Sequence, residues 1–274
     1  MIAMSLTTIM NKNLWYKAIH KRHSRRKYKD TKIEDEILDN LLGITNKLNK
    51  SIQGARAVII KECDDRVFKG IIGSYGKIKR APSYVAFIGD KRDKNHQEKV
   101  GYLGESIILA ATSLGLNTCW VGGFFNSNAV KSDIDIKENE EILAITPLGY
   151  SVKKYTMIEK IMSIVVSSKK RKNLDKLCIG GFDKSWPQWI KTALECGRLA
   201  PSAVNRQPWR FKIEDESITV KADKSRFSSV VSEQLDCGIA MLHIEIGAFY
   251  EGVKGNWVYL NDPEVARFKL GTKG

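Results

Sequence analysis

Three short stretches of this 274-residue chain combine residue types able to do chemistry. Arg22-His23-Ser24-Arg25-Arg26-Lys27-Tyr28 sets guanidinium forks beside a hydroxyl and a run of backbone donors, a set suited to an organic phosphate. Taken alone it is a weak signal, and dispersed surface charge is its plainer reading. Leu199-Ala200-Pro201-Ser202-Ala203-Val204-Asn205-Arg206-Gln207-Pro208-Trp209-Arg210-Phe211 leaves a helix through one proline and enters a strand through Gln-Pro-Trp. The small Ser202 and Ala203 permit close approach of a flat ligand, and Asn205 both donates and accepts hydrogen bonds. Gly115-Leu116-Asn117-Thr118-Cys119-Trp120-Val121-Gly122-Gly123-Phe124 reads as a helix end, a strand and a glycine pair. Glycines let backbone amides approach a ring that a side chain would shield, although a plain turn explains Gly122-Gly123 equally well in isolation.

The elements that must carry these stretches mix helix and strand. Trp15 to His20 and Ile33 to Leu42 have helical spacing, and Val100 to Leu114 is the clearest helix, with Gly115 placed to end it. Strands are expected at Ala55 to Lys61, Ser83 to Ile88, Thr118 to Val121 and Glu141 to Pro147. Beyond the basic Lys169 to Lys172 run, Gln188 to Leu199 and Gly238 to Tyr250 read as helices, with strands at Trp209 to Ile213 and Ile218 to Lys221. A strand at Trp257 to Leu260 closes the chain. Helix, strand, strand, long helix, strand therefore occurs twice. Gly101 and Gly238, Ala111 and Ala248, Gly115 and Gly252, and Trp120 and Trp257 all lie 137 positions apart in one register, which points to an internal duplication.

Together the three stretches resemble the FMN-dependent nitroreductase family, whose members carry Arg-x-Ser-x-Arg-x-aromatic, Ala-Pro-Ser-x-x-Asn-x-Gln-Pro-Trp and Gly-Leu-x-Thr-Cys-Trp segments. The order departs from the usual one, because the Pro-Ser segment lies in the second half. At its counterpart in the first half stands Leu48-Asn49-Lys50-Ser51-Ile52, and Asp175 to Gly181 in the second half lacks the arginines. One site keeps every element and the other has lost both. The pattern resembles the fused, single-chain branch of the family. It implies an α+β fold of two related helix and antiparallel-sheet halves, 1–172 and 173–274, packed as an intramolecular pseudo-dimer around one FMN. By this resemblance Arg22, Ser24 and Arg26, with His23, hold the phosphate and ribityl chain, and Arg171 is the nearest candidate for a further phosphate contact. Pro201, Ser202, Ala203 and Asn205 meet the ring and ribityl chain from the second half, while Val121, Gly122 and Gly123 offer backbone groups near the flavin N5. No side chain need act as nucleophile, since the flavin carries the redox chemistry. The implied reaction is a ping-pong cycle in which NADH or NADPH reduces FMN and leaves, and a nitroaromatic, quinone or similar small acceptor takes its place.

Composition sets the remaining bounds. With 43% hydrophobic residues the chain can bury a sizeable core, and apolar runs such as Ile161 to Val166 fall far short of the ~20 residues of a membrane helix. The opening residues lack the features of a secretion signal, so the default compartment is the cytoplasm, and the resemblance to the fused branch implies a monomer. The five scattered cysteines contain no Cys-x-x-Cys pair, and His20, His96 and His243 have no metal partners at helical spacing, so no metal site is expected. A net charge of +14 raises nucleic-acid binding as a rival, but lysine supplies 32 of the 45 basic residues and is spread over the chain. A second rival is a flavin-binding sensor or storage protein with little turnover.

Overall fold

The structure, a computed structural model, describes residues 8–9, 11–69, 78–123, 125–152, 170–223 and 231–271. Ile161 to Val166, Lys169 and Phe124 fall outside them. The elements run α1 (Lys12–Lys21), α2 (Asp35–Ser51), β1 (Ala55–Ile60), β2 (Ser83–Asp90), α3 (His96–Ser113), α4 (Ser127–Asp133), β3 (Glu140–Leu148), α5 (Leu174–Leu177), α6 (Gln188–Leu199), β4 (Trp209–Glu214), β5 (Ser217–Ala222), α7 (Glu233–Tyr250), β6 (Gly255–Tyr259) and β7 (Glu264–Leu270). All named strands pair antiparallel, in one sheet ordered β1-β2-β3 and a second ordered β4-β5-β7-β6. This is the α+β arrangement that the alternating helix and strand patterns imply.

Helices α3 and α7 lie at the centre. Both are almost wholly buried, which suits their sequences: neither has a polar face to give to solvent, so each must be covered on all sides. One continuous apolar core runs through them and onto both sheets, from Leu41, Phe87 and Leu103 to Leu194, Phe211 and Phe268. A smaller cluster around Tyr28, Phe68, Tyr84 and Ile145 covers the other face of the first sheet.

The two central helices correspond closely. Each is 18 residues long, and their first and last residues are 137 positions apart. Both end on a glycine with φ near +84°, Gly115 and Gly252. The same hydrogen bonds close both ends: Leu116 N to Ala111 O and Val253 N to Ala248 O, each 2.9 Å. Where the helices cross, a Cβ on Gly101 would overlap the Leu235 carbonyl oxygen, and one on Gly238 would overlap that of Glu98. These contacts are reciprocal, as on the two sides of a two-fold axis, and glycine is what allows the backbones to touch.

Three expectations need adjustment. Thr118 to Val121 does not form a strand: only the bridges Asn117 to Gly149 and Val121 to Ile145 flank β3, because the Cys119 N–H donates to the Thr146 side chain (3.0 Å) instead of a backbone carbonyl. The chain does not close at Leu260, since β7 follows and lies between β5 and β6. Finally, α7 starts at Glu233, where the Ser232 hydroxyl accepts from Leu235 N (3.2 Å) and caps the first turn.

Candidate cofactor-binding site

Arg22 ends α1, its N–H closing the last turn on Ala18 O (2.8 Å). Its side chain turns inward and is 8% exposed, with Nε 3.6 Å from Glu105 Oε1 and no hydrogen-bond partner. Glu105 and His243 are fully buried, on α3 and α7. Glu105 Oε1 lies 3.0 Å from His243 Nε2, and Oε2 accepts from Trp120 Nε1 (2.7 Å). His243 Nδ1 lies 3.1 Å from Cys196 O. Ser24 bridges Thr118, and Arg25 N donates to Thr118 O (2.9 Å), which docks the arginine stretch along the Thr118-Cys119-Trp120 segment. Arg25 is buried and spends its guanidinium on Val152 O (2.5 Å). Arg26 is half-buried, its carbonyl taken by Lys79 N (3.0 Å), and His23 is exposed.

The Pro201–Gln207 loop joins α6 to β4. Ser202 Oγ accepts from Gln207 N (2.9 Å), which closes the loop, while Val204, Asn205 and Gln207 hold left-handed φ angles of 47°, 56° and 50°. Asn205 Oδ1 accepts from Arg171 Nη1 (2.8 Å) and its Nδ2 donates to Lys170 O (2.8 Å). Gln207 Oε1 accepts from Lys172 N (2.8 Å), so the basic run is stitched to the loop. Burial pushes the Arg171 guanidinium down to about 10, and the neighbouring Arg22 and Arg198 charges push it the same way. Such a group is stabilised by an anion. Ala203 N donates to both carboxylate oxygens of Asp236 on α7 (3.1 and 3.2 Å).

Val121 commits its N–H and its carbonyl to Ile145, 2.9 Å each, so its amide belongs to the sheet edge. Gly122 follows with its Cα against the second half, where a Cβ would overlap the Val231 side chain. Gly123 has φ +77°. Arg22, Arg171 and Asn205 are thus brought together, and Ser24 and the glycine pair flank the same Thr118-Cys119-Trp120 segment. Sequence reasoning missed Glu105, Asp236 and Arg206. A carboxylate inside an otherwise apolar helix was the available signal for Glu105. Burial pushes the Cys63, Cys178 and Cys196 thiols up to about 12, which disfavours the reactive thiolate at these three positions. A cleft of about 640 Å³ between Lys91, Ser127, Asp135 and Glu140 shares none of these site residues. No described helix is long and apolar enough to cross a membrane.

Known proteins sharpen this picture. The family model described as "Putative TM nitroreductase" matches residues 15–248. A crystal structure titled as a putative nitroreductase from Thermotoga maritima superposes with a TM-score of 0.60 at 18% identity, covering 98% of this chain and 94% of that one, a likeness of fold. A nitroreductase family protein from Clostridium novyi NT (21% identity, 51% of this chain and 86% of that one) scores 0.43. An FMN-dependent nitroreductase from Clostridium difficile (22%, 51% and 88%) scores 0.42. No curated protein matches the chain. With the family model matched over most of its length and the fold shared end to end, the chain belongs to this nitroreductase family.

Proposed function

We propose that the protein is an FMN-dependent oxidoreductase that takes electrons from NADH or NADPH and delivers them, in a ping-pong cycle, to nitroaromatic, quinone or similar small acceptors. The observation that carries this reading is the approach of the Arg22 charge, from the arginine stretch, to Arg171, which in turn donates to Asn205 of the second half (2.8 Å). The residues fit FMN. A buried Arg22 Nε without a hydrogen-bond partner and a depressed Arg171 suit a phosphate. Gly122 and Gly123 carry no side chain to shield a ring from the backbone. Arg22 and Arg171, with Ser24, Arg26 and His23, would bind the phosphate and ribityl chain. Pro201, Ser202, Ala203 and Asn205 would orient the ring from the second half, and Gly122 and Gly123 would offer it backbone. FMN, when bound, supplies two-electron transfer at its N5, so the protein's task is placement, water exclusion and charge.

One FMN per monomer, held between halves 1–172 and 173–274, is part of the proposal. Only residues 52–54 separate α2 from β1, whereas residues 200–208 separate α6 from β4, so the first half has no room for a Pro-Ser loop. At the places 137 positions after Gly122 and Gly123 stand Tyr259 and Leu260, and Lys99 Nζ sits 5.4 Å over the Tyr259 ring. Bulky side chains thus stand where the first half has its glycine pair. Purified protein should be yellow or take up FMN, bleach anaerobically with NADH or NADPH, and show one flavin per monomer by light scattering with flavin quantified after denaturation. A protein whose thermal midpoint ignores FMN would overturn the reading, because a ligand of the native state must raise it. Tight FMN that neither nicotinamide reduces would leave a flavin-binding protein without turnover.

A further inference from the structure

The Pro201–Gln207 loop carries three non-glycine residues in left-handed conformations, one of them the β-branched Val204. Such backbone is disfavoured and persists only when its surroundings over-determine it. Besides the bonds to the basic run and the Ser202–Gln207 closure, one buried ion pair restrains it from the side of α7. Asp236, 1% exposed in the first turn of α7, accepts the Ala203 N–H on both oxygens, and Oδ2 also accepts from Arg206 Nε (2.8 Å). Arg206 spends its other arms on Glu233 Oε1 (Nη1, 3.3 Å) and on the Val231 carbonyl (Nη2, 2.7 Å). Val231 is the residue whose side chain lies against Gly122. A continuous set of contacts therefore runs from the Ala203 amide, through Asp236 and Arg206, to the glycine pair of the first half.

We propose that Asp236 and Arg206 are positioning residues: they fasten the Pro201–Gln207 loop to α7 and to Val231, and so fix the separation of the two walls between which the flavin ring is held. The inference rests on the FMN reading above. Neither residue touches Arg22 or Arg171, so their loss acts first on ring placement, through the loop. Arginine is required at 206 because its planar fork reaches three acceptors at once, whereas lysine offers a single nitrogen.

The test uses the full-length Asp236→Asn, Arg206→Met and Arg206→Lys variants. Fluorescence-quenching titrations give the affinity for FMN and for riboflavin, and the absorption spectrum of the bound flavin is taken at saturation. Asp236→Asn and Arg206→Met should weaken both flavins by the same factor, roughly tenfold or more as for a lost charge-assisted hydrogen bond, and should shift the flavin band. Arg206→Lys should fall between them and the parent protein. An ordinary stability role would lower the thermal midpoint but leave the saturated spectrum unchanged. If Asp236→Asn does not fold, Arg206→Lys carries the test. Variants that bind both flavins within twofold of the parent, with superimposable spectra, would overturn this inference alone. A parent protein that binds no flavin would overturn the FMN reading and this inference with it.

Discussion

Arg22 stands 3.6 Å from Glu105, yet that carboxylate also faces His243 Nε2 and the Trp120 indole. The Cys196 carbonyl can only accept, so the His243 ring is oriented with Nδ1 toward it and Nε2 toward Glu105. Arg22→Ala and Arg171→Ala should each weaken FMN by roughly 10- to 100-fold, the worth of a charge-assisted hydrogen bond, and leave riboflavin nearly unchanged; equal losses would mean that neither guanidinium sees phosphate. Two other buried carboxyls govern the pH response. Burial raises Asp236 to about 6 against Arg206, and Glu245 to about 7 although Tyr102 (2.5 Å) and Trp257 (2.9 Å) donate to it. In both cases the folded value lies above that of the unfolded chain, so the folded state binds more protons in the interval between. Their contribution to stability is therefore fully present below the ordinary carboxyl values of 3.8 and 4.5 and is lost as pH rises through about 6 and about 7. Glu245→Gln should flatten the fall in thermal midpoint between about pH 5 and about pH 8. An unchanged slope in that variant would show that Glu245 does not titrate there.

At the scale of elements, the crossing of α3 and α7 depends on Gly101 and Gly238. Alanine at either position would push backbone from backbone, and overpacking of this kind costs about 1 to 3 kcal/mol or more. Gly43, in α2, has nothing within 4 Å of a Cβ, so Gly43→Ala should stabilise by about 0.5 to 1 kcal/mol. Denaturant titrations of the three variants would read opposite signs, and similar changes in all three would contradict the close crossing. The contrast also explains what was legible beforehand. The central helices and the buried strands announce themselves through apolar periodicity, and Gln188–Leu199 matches its expected bounds because Pro201 stops it. β7 escaped notice because Glu264, Arg267 and Lys269 break up its apolar residues, and only pairing with both β5 and β6 makes it a strand. In the site, the Pro-Ser loop and the arginines are visible as local words. Asp236 and Arg206, 30 residues apart, become partners only through the approach of α7 to the loop.

For the whole molecule, the shared helix bounds, the matching glycine turns and the reciprocal crossing support two halves built on one plan, and the proposed reading puts a single complete site between them. Clearing the other cradle should not restore it. In a Tyr259→Gly variant the flavin content is expected to remain one per chain, because Asp175 to Gly181 supplies no arginine and residues 52–54 supply no loop. Two flavins bound per chain would show that the blocked cradle was otherwise intact. Tyr259 has a consequence of another kind. In a homodimer one codon writes both active sites, and a tyrosine at the glycine position would silence the enzyme twice. Joined in one reading frame, the two copies answer to separate codons, and a change that is lethal on one side is silent on the other. A saturation library scored for flavin retention should therefore be lopsided, with residues 22–26 and 200–208 intolerant and residues 48–54 and 175–181 permissive to every substitution that spares the core.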